Sequence, residues 1–198
     1  MLDVDGVLIS GRPADGQNWT FSLWKDLGID PRSLVEQFFS DEWMDVVTGK
    51  RDILPALSSS LERVPTSVTA EELIAYWFEM DSRIVNAVLS DCRAVRANGI
   101  SVYLTTNQEH RRAKYLMETL DLQSEVDGIV YSAQAGVQKP HPDFYDYACK
   151  ATGRDTSELI LVDDTKENVE GAIKAGWDAV HWNDDMRLAD VLHRSICK

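Results

Sequence analysis

Positive charge is scarce in this 198-residue chain. Lys and Arg number 20 against 33 Asp and Glu, for a formal charge of −13 at neutral pH. A surface this acidic repels phosphate backbones, so nucleic acid is not an expected partner. Cysteine is also rare. Cys92, Cys149 and Cys197 are scattered, odd in number and without metal-ligand spacing, which argues against a disulfide framework or a zinc site. No apolar run approaches the roughly 18 residues of a membrane span, and no signal peptide is expected ahead of Asp3. Low-complexity segments and internal repeats are absent. These absences leave a cytoplasmic, soluble protein with reduced thiols as the expectation. The length suits one core domain plus a smaller appended one.

What the chain does have is carboxylates in pairs. Asp3 and Asp5 stand one residue apart in Asp3-Val4-Asp5-Gly6-Val7-Leu8, and Asp163-Asp164 closes the apolar run Leu159-Ile160-Leu161-Val162. Between them lie Thr106-Asn107, after the apolar Val102-Tyr103-Leu104, and Lys139-Pro140. Clustered carboxylates repel one another and lose hydration on approach, so a fold gathers them only around a cation. With Mg²⁺ and Lys139 present, the four aspartates Asp3, Asp5, Asp163 and Asp164 retain about one negative charge, a balance that admits a phosphate dianion. A metal, a hydroxyl donor and a lysine are the parts that hold a phosphoryl group while a carboxylate attacks it.

Periodicity divides the chain in three. Residues 1–9 read as a short apolar strand ending in the first acid pair. From about 10 to 90 no strand is convincing, and helical patterns cover Phe21–Leu27, Ser33–Phe39, Asp52–Leu61 and Thr69–Met80, the last opening with the capping box Thr69-Ala70-Glu71-Glu72. Beyond Arg83, helices alternate with short apolar runs. A helix ends at Asn98-Gly99, and strands are expected at Ile100–Leu104, Gly128–Tyr131, Leu159–Val162 and Ala179–Trp182. Helices fall at Glu109–Leu120, Pro142–Thr152, Glu167–Ala175 and Met186–Arg194. The alternation implies an α/β fold, a Rossmann-like parallel sheet covered on both faces. Ligands of such sheets collect at the carboxyl ends of the strands, where Asp3, Thr106 and Asp163 fall.

Within this frame each motif has a use. Asp3, at a strand end, is placed as a nucleophile toward phosphorus. Asp5, two residues on, shares its side if the pleat continues and is suited to proton transfer. Gly6 permits a sharp turn beside the ligand. Thr106 and Asn107 are placed for phosphate oxygens, with Thr105 as the alternative donor one register step away. Lys139, restrained to an extended conformation by Pro140, points from a loop.

The four motifs in this order resemble the haloacid dehalogenase superfamily, carried by DVDGVL at 3–8, YLTTN at 103–107, VQKPHPDFY at 137–145 and LVDDTKENVEGAIKAGW at 161–177. The resemblance implies Asp3 as nucleophile, Asp5 as general acid/base and Thr106 as phosphate ligand. It implies Lys139 as the neutralising cation and Asp163 as direct Mg²⁺ ligand assisted by Asp164. It makes residues 1–9 and 91–198 the catalytic core and residues 10–90 a small α-helical cap. The stretch 131–140 is similar to the subgroup that includes sugar-phosphate phosphatases. The expectation is a Mg²⁺-dependent phosphatase acting on a small phosphomonoester, a sugar phosphate among the candidates, through an aspartyl-phosphate. Trp19, Trp24, Trp43, Arg51 and Trp77 are candidate cap contacts to substrate, although aromatics at helical spacing more often pack a core.

Three other readings share some of these features. Response-regulator receivers place their acid pair near the amino end and have no inserted cap. The metal-free 2-haloacid dehalogenases lack an aspartate at the position of Asp5. A non-catalytic phosphate- or metal-binding module would keep the motifs without turnover. Only Met1 and Leu2 precede the nucleophile, whereas strands usually run about 5–6 residues. The expectation is therefore a first strand cut short, or translation that starts upstream of Met1.

Overall fold

The structure is a computed structural model that describes residues 1–188, 190 and 191. Its sheet is parallel throughout. β1 (Tyr103–Thr106) pairs with β2 (Gly128–Tyr131), and β3 (Ile160–Asp163) pairs with β4 (Asp178–His181). Residues 1–3 lie between the two pairs, because Leu2 bridges in parallel to both Leu104 and Val162. The backbone N–H of Leu2 donates to the Tyr103 carbonyl at 2.8 Å, and that of Asp3 to the Val162 carbonyl at 2.9 Å. The order across the sheet is therefore β2, β1, residues 1–3, β3, β4.

The apolar stretch 1–9 does not continue as a strand. After Asp3 the chain turns: the N–H groups of Leu8 and Ile9 converge on the Val4 carbonyl at 2.9 and 2.8 Å, and Gly6 takes a φ of 80°. A left-handed φ is cheap only for glycine, so Gly6 is where the turn is made. Val7, Leu8 and Ile9 are still buried, in the turn and the core instead of on the parallel sheet.

Residues 10–84 form a helical unit. It contains α1 (Leu23–Leu27), α2 (Pro31–Leu34, running into a π turn at Val35–Phe39), α3 (Trp43–Val47), α4 (Ile53–Leu61) and α5 (Ala70–Met80). Several helix starts are capped by side chains, the expected box at Thr69 among them. Asp30 accepts from Arg32 N–H, Asp52 from Leu54 N–H, and Thr69 with Glu72 closes a reciprocal box. α3 was not evident from periodicity; at five residues it is too short for an amphipathic pattern to register. The unit has its own apolar cluster, including Trp19, Leu23, Phe38, Leu57, Leu73, Trp77 and Phe78, with Trp19 stacked on Trp77 at a centroid distance of 5.0 Å. The chain leaves and returns through a two-stranded neck. Ile9 bridges antiparallel to Ile84, and the N–H groups of Ser10 and Val85 donate to the carbonyls of Arg83 and Leu8, each at 2.9 Å.

The remaining helices cover the sheet: α6 (Asn86–Ala97), α7 (His110–Lys114, running into a π turn at Tyr115–Thr119), α8 (Ser132–Ala135), α9 (Pro142–Thr152) and α10 (Lys166–Lys174). Val88, Leu89, Cys92 and Val95 of α6 pack with Leu2, Val4, Leu104 and Val162, so α6 belongs to the sheet's core from its first turn. β1 begins three residues later than the apolar run suggests and includes Thr105 and Thr106. Its register is fixed by Leu2 on one side and Gly128–Tyr131 on the other. The helix expected at Met186–Arg194 falls partly outside the described residues, as does Cys197. Cys92 is buried and Cys149 half-buried, both free thiols. No helix among the described residues is long and apolar enough to cross a membrane.

Trp77 is central to the helical unit, touching the rings of Trp19, Phe39, Trp43 and Phe78. Trp77→Ala is expected to cost about 3–5 kcal/mol, the usual penalty for emptying a buried aromatic site. Urea unfolding followed by circular dichroism measures it, and a loss below about 1 kcal/mol would contradict this packing.

Candidate active site

At the carboxyl ends of the strands a polar cavity of about 320 Å³ opens, lined by Asp3, Asp5, Gly6, Thr106, Asn107, Lys139, Asp164, Thr165 and Asn168. Four parts of the chain build it: residue 3 and the turn after it, the end of β1, the loop between α8 and α9 that carries Lys139, and the end of β3 with the start of α10. A second, more enclosed cleft of about 240 Å³ at the amino ends of the strands, near Met1 and Ile160, carries none of these groups.

The centre of the site is the Lys139 ammonium. It is 2% exposed and donates to Asp3 Oδ1 at 2.9 Å, to Asp163 Oδ2 at 2.5 Å and to the Thr105 carbonyl at 2.7 Å. Three acceptors use all three of its N–H bonds. Burial by itself would lower its pKa, and the two carboxylates more than offset this, so it is held above the ordinary lysine value. The loop that carries it is fixed by Asn107, whose side chain donates to the Lys139 carbonyl at 3.0 Å and accepts from the Lys139 N–H at 2.9 Å. The amide of Asn107 thus orients lysine, leaving its backbone at the cavity wall.

Asp3 is buried, and its carboxyl is pushed up to about 6 chiefly by that burial, with Lys139 opposing and Asp163 adding to the rise. The second acid pair divides in two. Asp163 is fully buried and held on both oxygens: Oδ1 accepts from Thr165 N–H at 2.9 Å and from the Asn168 amide at 3.1 Å, while Oδ2 takes Lys139. Asp164 instead faces the cavity, and burial followed by the Asp163 charge raises its carboxyl. The pair was expected to act with Asp163 toward the metal and Asp164 behind it; in the fold Asp164 is the one at the wall.

Thr106 also lines the cavity, whereas the Thr105 hydroxyl is sealed away with no hydrogen-bond partner. β1 alternation sends these two threonines to opposite faces. Asp5 reaches the cavity by the turn and not by a continuing pleat. It keeps access to solvent, yet dense protein around the carboxyl strips part of its hydration and, with the nearby Asp81, pushes it up to about 7. Gln108 donates from Nε2 to Asp5 Oδ2 at 2.5 Å. Gln108 had no signal in the sequence, since nothing local distinguishes it from any polar residue after a strand.

The donor chemistry suits Mg²⁺. Asp3, Asp163 and Asp164 can each offer an oxygen, and these atoms lie within 4.8 Å of one another. Hard carboxylate oxygens are the ligands that this ion prefers, and one lysine does not balance three clustered carboxylates. The Asp5 carboxylate is not in that group; it is turned to Gln108. None of the five cap candidates lines the cavity. Trp19 and Trp77 are in the helical unit's core, Trp43 packs against it, Trp24 is 66% exposed and Arg51 is paired with Glu42.

Fold and site together define a Rossmann-like α/β protein with an aspartate–lysine centre at the carboxyl edge of a parallel sheet and a helical insertion beside it. The comparisons with known proteins add the family. A model for the haloacid dehalogenase-like hydrolases matches residues 1–176, and the chain belongs to that family. Among curated proteins it is 33% identical over 104 residues to a sesquiterpene phosphatase of Aspergillus oryzae, covering 52% of this chain and 53% of that one. It is 27% identical over 99 residues to human N-acylneuraminate-9-phosphatase, covering 50% of this chain and 38% of that one. The matched region therefore spans about half or less of these relatives. In fold it is similar to a haloacid dehalogenase family enzyme of Bacteroides thetaiotaomicron crystallised with magnesium and inorganic phosphate, at a TM-score of 0.78, 18% identity and 96% coverage of both chains.

Gly6 tests how closely this site is packed. A Cβ on Gly6 would lie 2.1 Å from Asp164 Oδ2 and 2.6 Å from its Cγ. Gly6→Ala is expected to push Asp164 from the wall and weaken Mg²⁺ binding at least tenfold by titration calorimetry, with the far-ultraviolet circular dichroism unchanged. Undiminished Mg²⁺ affinity would remove Asp164 from the ion site.

Proposed function

We propose that this chain is a Mg²⁺-dependent phosphatase that hydrolyses a small phosphomonoester through an aspartyl-phosphate on Asp3. The observation that carries the reading is the buried Lys139 ammonium bridging Asp3 and Asp163, with Asp164, Thr106 and Asn107 around the same opening. A buried carboxylate locked by an ammonium has one orientation, which is what an attacking group needs.

The reaction runs in two displacements. An Asp3 carboxylate oxygen forms a bond to phosphorus as the ester P–O bond breaks, and Asp5 gives its proton to the departing oxygen. Asp5, now a carboxylate, takes a proton from water whose oxygen attacks phosphorus, which releases inorganic phosphate and regenerates Asp3. Thr106 and the backbone N–H groups at the end of β1 are placed to donate to phosphoryl oxygens. Lys139 holds Asp3 in line, and Asp163 holds Lys139. Asp3, Asp163 and Asp164 would hold Mg²⁺, which supplies charge neutralisation for an incoming phosphate dianion. The cavity of about 320 Å³ is at the small end for ligand pockets, in keeping with a metabolite. The phosphatases and the Escherichia coli pyrimidine 5′-nucleotidase to which the chain is similar support the phosphomonoester class, and N-acylneuraminate-9-phosphatase keeps sugar phosphates among the candidates. The helical unit beside the neck is read as the cap, free to close over bound substrate.

A panel of phosphorylated metabolites assayed with Mg²⁺ tests the reading directly. Chelation by EDTA is expected to abolish turnover and added Mg²⁺ to restore it; halide release from a 2-haloacid that survives EDTA would favour the dehalogenase alternative. Asp3→Asn is expected to remain folded and to fall below about a hundredth of wild-type turnover, since an amide is a poor nucleophile. Turnover above that level would remove Asp3 from the nucleophile's role.

A further inference from the structure

Asp5 sits on a turn, so no sheet ladder orients its carboxyl, and the Cβ–Cγ torsion of an aspartate is intrinsically broad. One side chain does hold it. Gln108, 4% exposed, donates from Nε2 to Asp5 Oδ2 across 103 residues of sequence. Gln108 is itself anchored from behind. Its carbonyl accepts from the Ala133 N–H at 3.1 Å and from the Ser132 hydroxyl at 3.2 Å, both at the start of α8. The same hydroxyl lies 2.6 Å from the Val47 carbonyl at the end of α3, in the helical unit. Gln108 therefore links the turn that carries Asp5 to the sheet's carboxyl edge and, through Ser132, to the insertion.

Resting on the phosphatase reading above, we propose that Gln108 is the positioning residue for Asp5. With Oδ2 held by the amide, Oδ1 is the oxygen left to give a proton to the leaving oxygen in the first displacement and to take one from water in the second. Gln108 acts through Asp5 and touches neither phosphorus nor the three-aspartate group. An error of about 1 Å in the placement of a catalytic group costs about a hundredfold, so a side chain held on one side by a single amide is sensitive to losing it.

The test is a double-mutant cycle on an alkyl phosphomonoester that the wild-type enzyme turns over with Mg²⁺. Gln108→Leu removes the donor at similar volume, and Gln108→Glu, nearly isosteric, replaces it with an acceptor should the leucine variant fold poorly. Either is expected to lower kcat about ten- to a hundredfold with KM within about threefold. In the Asp5→Asn background the same change is expected to cost less than about twofold, because the group it positions is gone. Single-turnover phosphoenzyme formation supplies a second readout. The Gln108 defect is expected to be smaller with 4-nitrophenyl phosphate, whose leaving group needs little protonation. Equal losses in the wild-type and Asp5→Asn backgrounds, or equal defects with both leaving groups, would overturn the assignment and make Gln108 a packing residue. A wild-type chain that hydrolyses no phosphomonoester would overturn the phosphatase reading instead, a result separate from any behaviour of the variants.

Discussion

The Lys139 ammonium, buried between Asp3 and Asp163, is the interaction on which this site depends. An ion pair in this position is weak evidence for stability, because stripping water from the charges costs about as much as their attraction returns. Its effect is on order. Asp3 ends the segment of residues 1–3, Asp163 ends β3, and the Thr105 carbonyl belongs to β1, so one ammonium registers three neighbouring segments at their carboxyl ends. Removing the lysine would leave two buried carboxylates facing each other, a far worse state than the paired one. Asn107 belongs to the same arrangement, since it clamps the backbone on both sides of the lysine's peptide group.

Around this centre, charge is arranged by depth. Asp163 is fully enclosed and spends its oxygens on Lys139, Thr165 and Asn168, while Asp164 meets the cavity across the space left by Gly6. Asp3 is at the boundary between these regions. The helical insertion contributes no side chain to the cavity's lining, but it is tied to the core close by. Arg112 of α7, buried at 2% exposure, donates to the Phe78 carbonyl at 3.1 Å and to the Asp81 carbonyl, capping the end of α5. Ser132 joins α3 to Gln108. The insertion therefore touches the acid side of the site through the backbone and through intermediaries.

Much of this was legible in the chain. Pro142–Thr152 and Gly128–Tyr131 have the boundaries that their patterns indicate, because Pro142, Gly128 and Gly153 punctuate them. The capping box at Thr69 is local by nature and forms as written. The errors share a cause. The run 1–9 is rich in apolar residues, yet only residues 1–3 join the parallel sheet, because Val7 and Leu8 are buried in a turn and Ile9 pairs with Ile84 in the neck. An apolar residue reports that it is buried and not by what. The starts of β1 and β3 were misplaced by up to three residues for the same reason, since pairing partners, and not strand composition, decide where a ladder begins.

By itself, the sequence determined which chemistry is available: two acid pairs, a hydroxyl-amide step and a lysine, each next to a strand end or a proline that limits the local backbone. Those are properties of residue type and of spacings of a few residues, and they survive without any tertiary contact. Which member of each pair meets the cavity was decided only by tertiary structure. Thr106 over Thr105, Asp164 over Asp163 at the wall, and Asn107 turned to the lysine's backbone all follow from which face of a strand or loop meets the cavity. Gln108 and Asp5 meet across 103 residues. A contact of that kind has no local trace, because its energy comes from desolvated groups that only the finished fold brings within hydrogen-bonding distance.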